Sequence, residues 1–178
     1  MELDQVSQPS KLLLFVLLLV AITIPPNEAL KETKIVFFLQ DVSSGSNATV
    51  VPVTGITGKP WSFRSFGTIF AVDDPITQTP DRKSTPIGRA QGMFLTSALD
   101  GSNVLVSISI VFTNAEYYNG STLELQGISK QNERYKEISV VSGTGSFRLA
   151  RGYATFETIY YDDRTNYSII RTTISLSA

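Results

Sequence analysis

After residue 30 the apolar positions recur with a period of two, and no stretch of useful length shows the i, i+3, i+4, i+7 spacing of an amphipathic helix. The cleanest run is 104–113. Val104, Val106, Ile108, Ile110 and Phe112 alternate there with Leu105, Ser107, Ser109, Val111 and Thr113, giving one wholly apolar side and one mixed side. The run 33–42 alternates in the same way, with Ile35, Phe37, Leu39 and Asp41 on one side and Val36, Phe38, Gln40 and Val42 on the other. Asp41 is thus in line with three apolar residues. Two readings stay open for it: a strand-end aspartate entering the polar turn 43–47, or a carboxyl directed into an apolar cavity.

Further strands are expected at 48–56, 66–72, 87–96, 121–127, 138–141, 147–161 and 167–176. Pro52 marks the second strand as an edge or a bulge, and Gly152 marks a bulge or sharp bend. Gly143 and Gly145 fit a tight reversal between 138–141 and 147–161. The adjacent carboxylates of Asp73-Asp74-Pro75 invite a calcium or acid–base reading, but the further oxygen ligands of a calcium loop are missing and a turn that stops the third strand is favoured over both. The polar, Pro-punctuated stretch 76–86 reads as a long loop, for example a lid over a barrel mouth. The loop 57–65 holds the only tryptophan, Trp61, which reads as a packing plug before a ligand platform. Eight or nine short strands at regular spacing predict an all-β, antiparallel barrel or sandwich. A closed barrel would leave no exposed edges, and one of about eight strands can hold one small ligand.

The first 29 residues change the picture of where the chain works. Leu12 to Ile24 is almost wholly apolar, is preceded by Lys11, and is broken by Pro25-Pro26; it is short for a membrane span and suits a signal peptide cleaved after Ala29. Residues 30–178 would then form a single domain. Removal of 1–29 takes away Lys11, Glu2, Asp4 and Glu28 and turns the net charge from −1 to +1. Neither a strong field nor a basic stripe then draws the chain to nucleic acid or to an anionic membrane. Three sequons, at Asn47, Asn119 and Asn166, agree with a secreted glycoprotein.

The chain has no His and no Cys. A Ser-His-Asp triad, a thiol nucleophile and imidazole or thiolate metal sites are therefore excluded. Carboxylates, Lys, Arg, Tyr and hydroxyls remain, so carboxylate acid–base or template chemistry is expected, with no cofactor and no metal.

Several motifs follow in order along nearly all of 30–178: Val36-Phe37-Phe38-Leu39-Gln40-Asp41, Asn47-Ala48-Thr49, Phe66-Gly67-Thr68-Ile69-Phe70-Ala71-Val72-Asp73-Asp74-Pro75, Gly88-Arg89-Ala90-Gln91-Gly92, Tyr118-Asn119-Gly120-Ser121-Thr122-Leu123, and Gly143-Thr144-Gly145-Ser146-Phe147-Arg148-Leu149-Ala150-Arg151-Gly152-Tyr153-Ala154. This set resembles the plant dirigent family. The resemblance implies an eight-stranded antiparallel β-barrel, architecturally analogous to allene oxide cyclase, that forms a homo-oligomer (a trimer, with a dimer as the alternative) and is secreted to the apoplast. It implies a phenolic radical or quinone-methide ligand. A separate laccase or peroxidase would oxidise a monolignol such as coniferyl alcohol, and the dirigent protein would set the stereochemistry of coupling in lignan or phenylpropanoid biosynthesis. The alternatives are ring closure of the pterocarpan-synthase type and a phenolic- or cell-wall-binding barrel without turnover.

The same resemblance makes Asp41 the general acid. Ser129 stands where lignan-forming members carry a second aspartate, and Lys136 where they carry an arginine, which loses the bidentate fork. Phe94 takes the place of a tyrosine near Gly92, and Thr158 matches a pocket threonine. Glu116, Glu124 and Glu157 are candidates to replace the missing second carboxylate, although strand parity alone does not place them inside.

Overall fold

The computed structural model describes residues 32–177. The expected signal segment lies outside them. Nine strands follow one another: β1 (Glu32–Val42), β2 (Val50–Thr54), β3 (Ile69–Thr77), β4 (Pro86–Thr96), β5 (Asn103–Phe112), β6 (Thr122–Lys130), β7 (Tyr135–Gly143), β8 (Arg151–Asp162) and β9 (Tyr167–Ser177). Eight of them close an antiparallel ring in the order β1-β9-β8-β7-β6-β5-β4-β3, sealed by Phe38–Thr77 and Leu39–Ile76 between β1 and β3. Strand β2 pairs only with β3, where it continues the wall beyond the short β1–β3 seam. Its register shifts between Pro52 and Thr54, as an edge strand with an internal proline should.

The two-residue period decides which side chains enter the ring. On β5 the apolar side is inside: Val104, Val106, Ile108, Ile110 and Phe112 are all buried. On β1 the inward residues are Ile35, Phe37, Leu39 and Asp41. Closure bends the wall, and glycine permits the closest backbone approaches. A Cβ at Gly152 would lie 2.0 Å from the Ser175 carbonyl, and one at Gly92 would lie 2.2 Å from the Ser107 carbonyl.

One end of the barrel is filled. Phe37 meets Phe112 edge-on at 6.4 Å, and Phe147 packs 5.4 Å from Phe112 and 4.7 Å from Tyr118. Phe147 reaches this cluster from a 3-10 turn, Gly145–Phe147, and β8 begins only at Arg151. The expected strand start at 147 is therefore four residues early, because the burial of one aromatic ring at the barrel's end outweighs its β propensity.

Two other expectations are corrected. Asp73-Asp74-Pro75 does not stop β3, which runs on to Thr77. The seam to β1 is so short that a residue lacking an N–H is tolerated beside it. The loop 78–85 is not a lid. It lies along the outer wall, with the Arg82 guanidinium 4.7 Å from the centre of the Tyr167 ring. Tyr167 in turn donates to Gln40, whose amide donates to Thr77 Oγ1 at 2.8 Å. Among the described residues no helix is long and apolar enough to cross a membrane.

Candidate functional site

The opposite end of the barrel is hollow. A cavity of about 320 Å³ opens there, the size of a small-ligand site. Leu39, Val72, Val104, Val106, Ile108, Ile138 and Ile170 form its apolar wall, and Phe63, Phe94 and Phe156 supply aromatic faces. The polar groups are few: Asp41, Asp74, Ser129, Gln131, Lys136 and Thr158. The predicted residues Asp41, Ser129, Lys136, Phe94 and Thr158 therefore meet in one cavity, although they come from five different strands.

Asp74 was not expected there. Phe70, Val72, Asp74 and Ile76 share the inward face of β3, and Asp74 is buried. Its neighbour Asp73 points outward, where Arg89 and Gln91 hold it and keep its carboxyl below the usual range. The seam pairs Phe38 with Thr77 and Leu39 with Ile76. Continuing that register sets Asp41 opposite Asp74, so the two carboxyls share one corner of the cavity. The three glutamates that were candidates for a second carboxylate stay outside. Glu124 bonds Ser109 and Thr122 on the outer wall, Glu157 pairs with Arg134, and Glu116 is exposed in a turn.

Burial governs the acidity of the pair. Loss of water raises the Asp41 carboxyl to about 6. Asp74 rises to about 8, first through burial and then through the negative charge of Asp41; the Thr49 hydroxyl opposes that rise. Around neutral pH the pair therefore holds one proton, mainly on Asp74, beside an ionised Asp41. Among the described residues there is no cluster of three or more metal-ligating side chains.

The mouth is partly covered by the segment between β2 and β3. Phe63 stacks on Phe70 with ring centroids 4.0 Å apart and planes within 5°. Its carbonyl accepts from Thr96 Oγ1 at 3.1 Å and from the Gln131 amide, which also donates to the Gly101 carbonyl at 2.7 Å. Trp61, the expected plug, is instead 47% exposed and is absent from the cavity wall. The stopper is its neighbour two residues on. No periodic signal marks Phe63, because it lies on a loop.

The class this defines is a closed antiparallel β-barrel with an apolar, acid-bearing cavity at one end. The family described as "Dirigent-like protein" matches residues 32–177, and the chain belongs to that family. It is 36% identical over 140 residues to Dirigent protein 23 of Arabidopsis thaliana, covering 79% of this chain and 74% of that one. It is 35% identical over 123 residues to Pterocarpan synthase 1 of Glycine max, covering 68% and 66% of the two chains. In structure it is similar to the pterocarpan synthase dirigent protein GePTS1, with a TM-score of 0.73 at 32% identity over 82% of this chain and 84% of that one.

Proposed function

We propose that this protein binds a phenolic quinone methide in the hollow end of its barrel and directs ring closure on one face. The observation that carries this reading is a pair of carboxyls, half-buried Asp41 and buried Asp74, facing one apolar cavity. A quinone methide becomes electrophilic when its carbonyl oxygen gains a proton. Asp74 gives that proton in place of Asp41, the expected acid, because of the two Asp74 holds its proton to the higher pH. A hydroxyl of the same guest attacks the methide carbon, a C–O bond forms, and the hydroxyl proton passes to Asp41. The guest is isomerised, and the pair again holds one proton after transfer between the two carboxyls. Lys136 and Ser129 bind the oxygen atoms at the guest's far end, while Phe94, Phe63 and Thr158 limit its orientation. A hundredfold preference for one face needs only about 2.7 kcal/mol between competing transition states.

The similarity to pterocarpan synthases favours this chemistry. A second reading is stereochemical control of monolignol coupling, with phenoxy radicals supplied by an external laccase or peroxidase. It is favoured by Asp74, which supplies the second carboxyl that Ser129 lacks. Both readings end in closure of a quinone methide, and substrates separate them. The protein is incubated with an isoflavanol precursor, which becomes the quinone methide by losing its benzylic hydroxyl and a phenolic proton as water, and separately with laccase and coniferyl alcohol, and the products are resolved by chiral chromatography. An enantiomeric excess with the first supports ring closure, and one with the second supports coupling. Racemic products from both would leave a binding barrel without turnover.

The working form we propose is a secreted homo-oligomer, a trimer before a dimer, with glycans at the exposed turn residues Asn47 and Asn119. Asn166 is a poorer acceptor, because its side-chain nitrogen donates to Ser44 Oγ at 2.9 Å and its oxygen accepts from Tyr161 at 2.9 Å.

A further inference from the structure

Thr49 belongs to no cavity wall, yet it touches the acid pair. It lies between the end of β1 and the start of β3. Its N–H donates to the Val42 carbonyl at 2.8 Å, and its own carbonyl accepts from the Asp73 N–H at 2.8 Å. The backbone of Thr49 thus bridges the two strands where their direct pairing stops, just above the paired residues Leu39 and Ile76. Its hydroxyl is fixed as well. Oγ1 accepts from the Val42 N–H at 2.9 Å. A hydroxyl has one proton to give, and two acceptors are within reach. Asp74 Oδ1 is 2.5 Å away, whereas the Val42 carbonyl is 3.5 Å away, at the limit of a bond. The shorter contact takes the proton.

We propose that Thr49 is the positioning residue of the acid pair: by donating to Asp74 Oδ1 it reserves that oxygen as an acceptor and places the transferable proton on Oδ2. This deepens the proposed ring-closing function and rests on the same two carboxyls. Asp74 then presents a single O–H in a single orientation, and Thr49 adjusts how readily it is released. A hydrogen bond to the ionised carboxylate favours release, opposing the effect of burial and of the Asp41 charge. The other charged groups near Asp74 are Asp73 and Arg89 on the outer wall and Lys136, which lines the same cavity from β7.

Thr49 is also the third residue of the sequon Asn47-Ala48-Thr49. Removing its hydroxyl therefore removes both a glycosylation signal and the bond to Asp74. Three variants separate the two effects. Thr49→Val deletes the hydroxyl and keeps the branched shape. Thr49→Ser keeps the hydroxyl and the sequon. Asn47→Gln deletes the sequon and keeps the hydroxyl.

The test is a carboxyl-carbon NMR titration of Asp74 in the full folded domain, alongside the pH profile of product formation. Thr49→Val is expected to bind the Asp74 proton about tenfold more tightly, moving its titration and the alkaline limb of the profile up by about one pH unit. Thr49→Ser and Asn47→Gln should titrate as the wild type does. An unmoved titration in folded Thr49→Val, or an equal shift in Asn47→Gln, overturns the proposal. If Thr49→Val fails to fold, the wild-type Thr49 hydroxyl proton decides. Slow exchange and a shift that follows the Asp74 titration support the assignment, and fast exchange overturns it. A titration shift in a protein that forms no chiral product would leave Thr49 in this role and remove the ring-closing function instead.

Discussion

The two ends of the barrel are built from the same strands and do opposite work. On β5, Ile110 and Phe112 sit in the filled end at 0% and 1% exposure, among Phe37, Leu123 and Phe147. Val104, Val106 and Ile108, one to three positions earlier on the same face, line the hollow end. One alternating pattern makes both, so it carries no mark of where packing stops and the cavity begins. The difference comes from what the other strands contribute. Aromatic rings converge at the filled end. At the hollow end Ala90 and Gly127 are small, and the inward positions of β1 and β3 carry carboxyls rather than hydrocarbon. The packed aromatic core resides in one half, and the cavity with its two carboxyls in the other.

Truncation should expose this division most strongly. Ile110→Ala is expected to cost about 2–5 kcal/mol in urea unfolding, as for a packed core residue. Ile108→Ala borders existing space and should cost about half as much, yet it should change the enantiomeric ratio of the product. Equal losses at the two positions would abolish the distinction.

Asp74→Asn tests the hollow end from the opposite direction. Both carboxyls have folded-state values raised above the unfolded range near 4, so their contribution to stability is full below that range and is lost as pH rises through about 6 and then about 8. Thermal unfolding should show wild-type stability falling between pH 4 and pH 8. Asp74→Asn removes the larger part of that slope. It should be more stable than the wild type at pH 8, by on the order of a few kcal/mol, while product formation is lost. A flat wild-type profile would mean that the carboxyls are not desolvated.

Activity should follow a bell in pH, with limbs near 6 and 8, because transfer needs one carboxyl charged and its partner neutral. The smallest effect on folding is expected from Gly127→Val. A Cβ there meets Ile138 Cγ2 at an ordinary 3.5 Å. The added side chain should leave unfolding almost unchanged and weaken binding of a phenolic ligand in a calorimetric titration.

The alternation on β1 and β5 made an all-β barrel or sandwich legible and set Asp41 in line with apolar residues, whereas the choice of a barrel and of a cavity-facing Asp41 rested on the family resemblance. The same period, continued through Phe70, Val72, Asp74 and Ile76, marks Asp74 as inward. Asp-Asp-Pro is also good turn chemistry, and that local signal hid the strand. Local propensity could not reveal that a short seam tolerates Pro75. Phe63 and Thr49 were illegible for another reason. Each acts from a connection between strands, where the backbone path and not the sequence period decides what a side chain meets. The 3-10 turn that seats Phe147 follows the same rule.

The shared proton can be observed without any substrate. Infrared difference spectroscopy at pH 7 should show the C=O stretch of one protonated carboxyl in the wild type, and that band should be missing from Asp74→Asn. A wild-type spectrum with carboxylate bands alone, or a protonated band that survives in Asp74→Asn, would contradict a cavity in which Asp74 holds the proton for its guest.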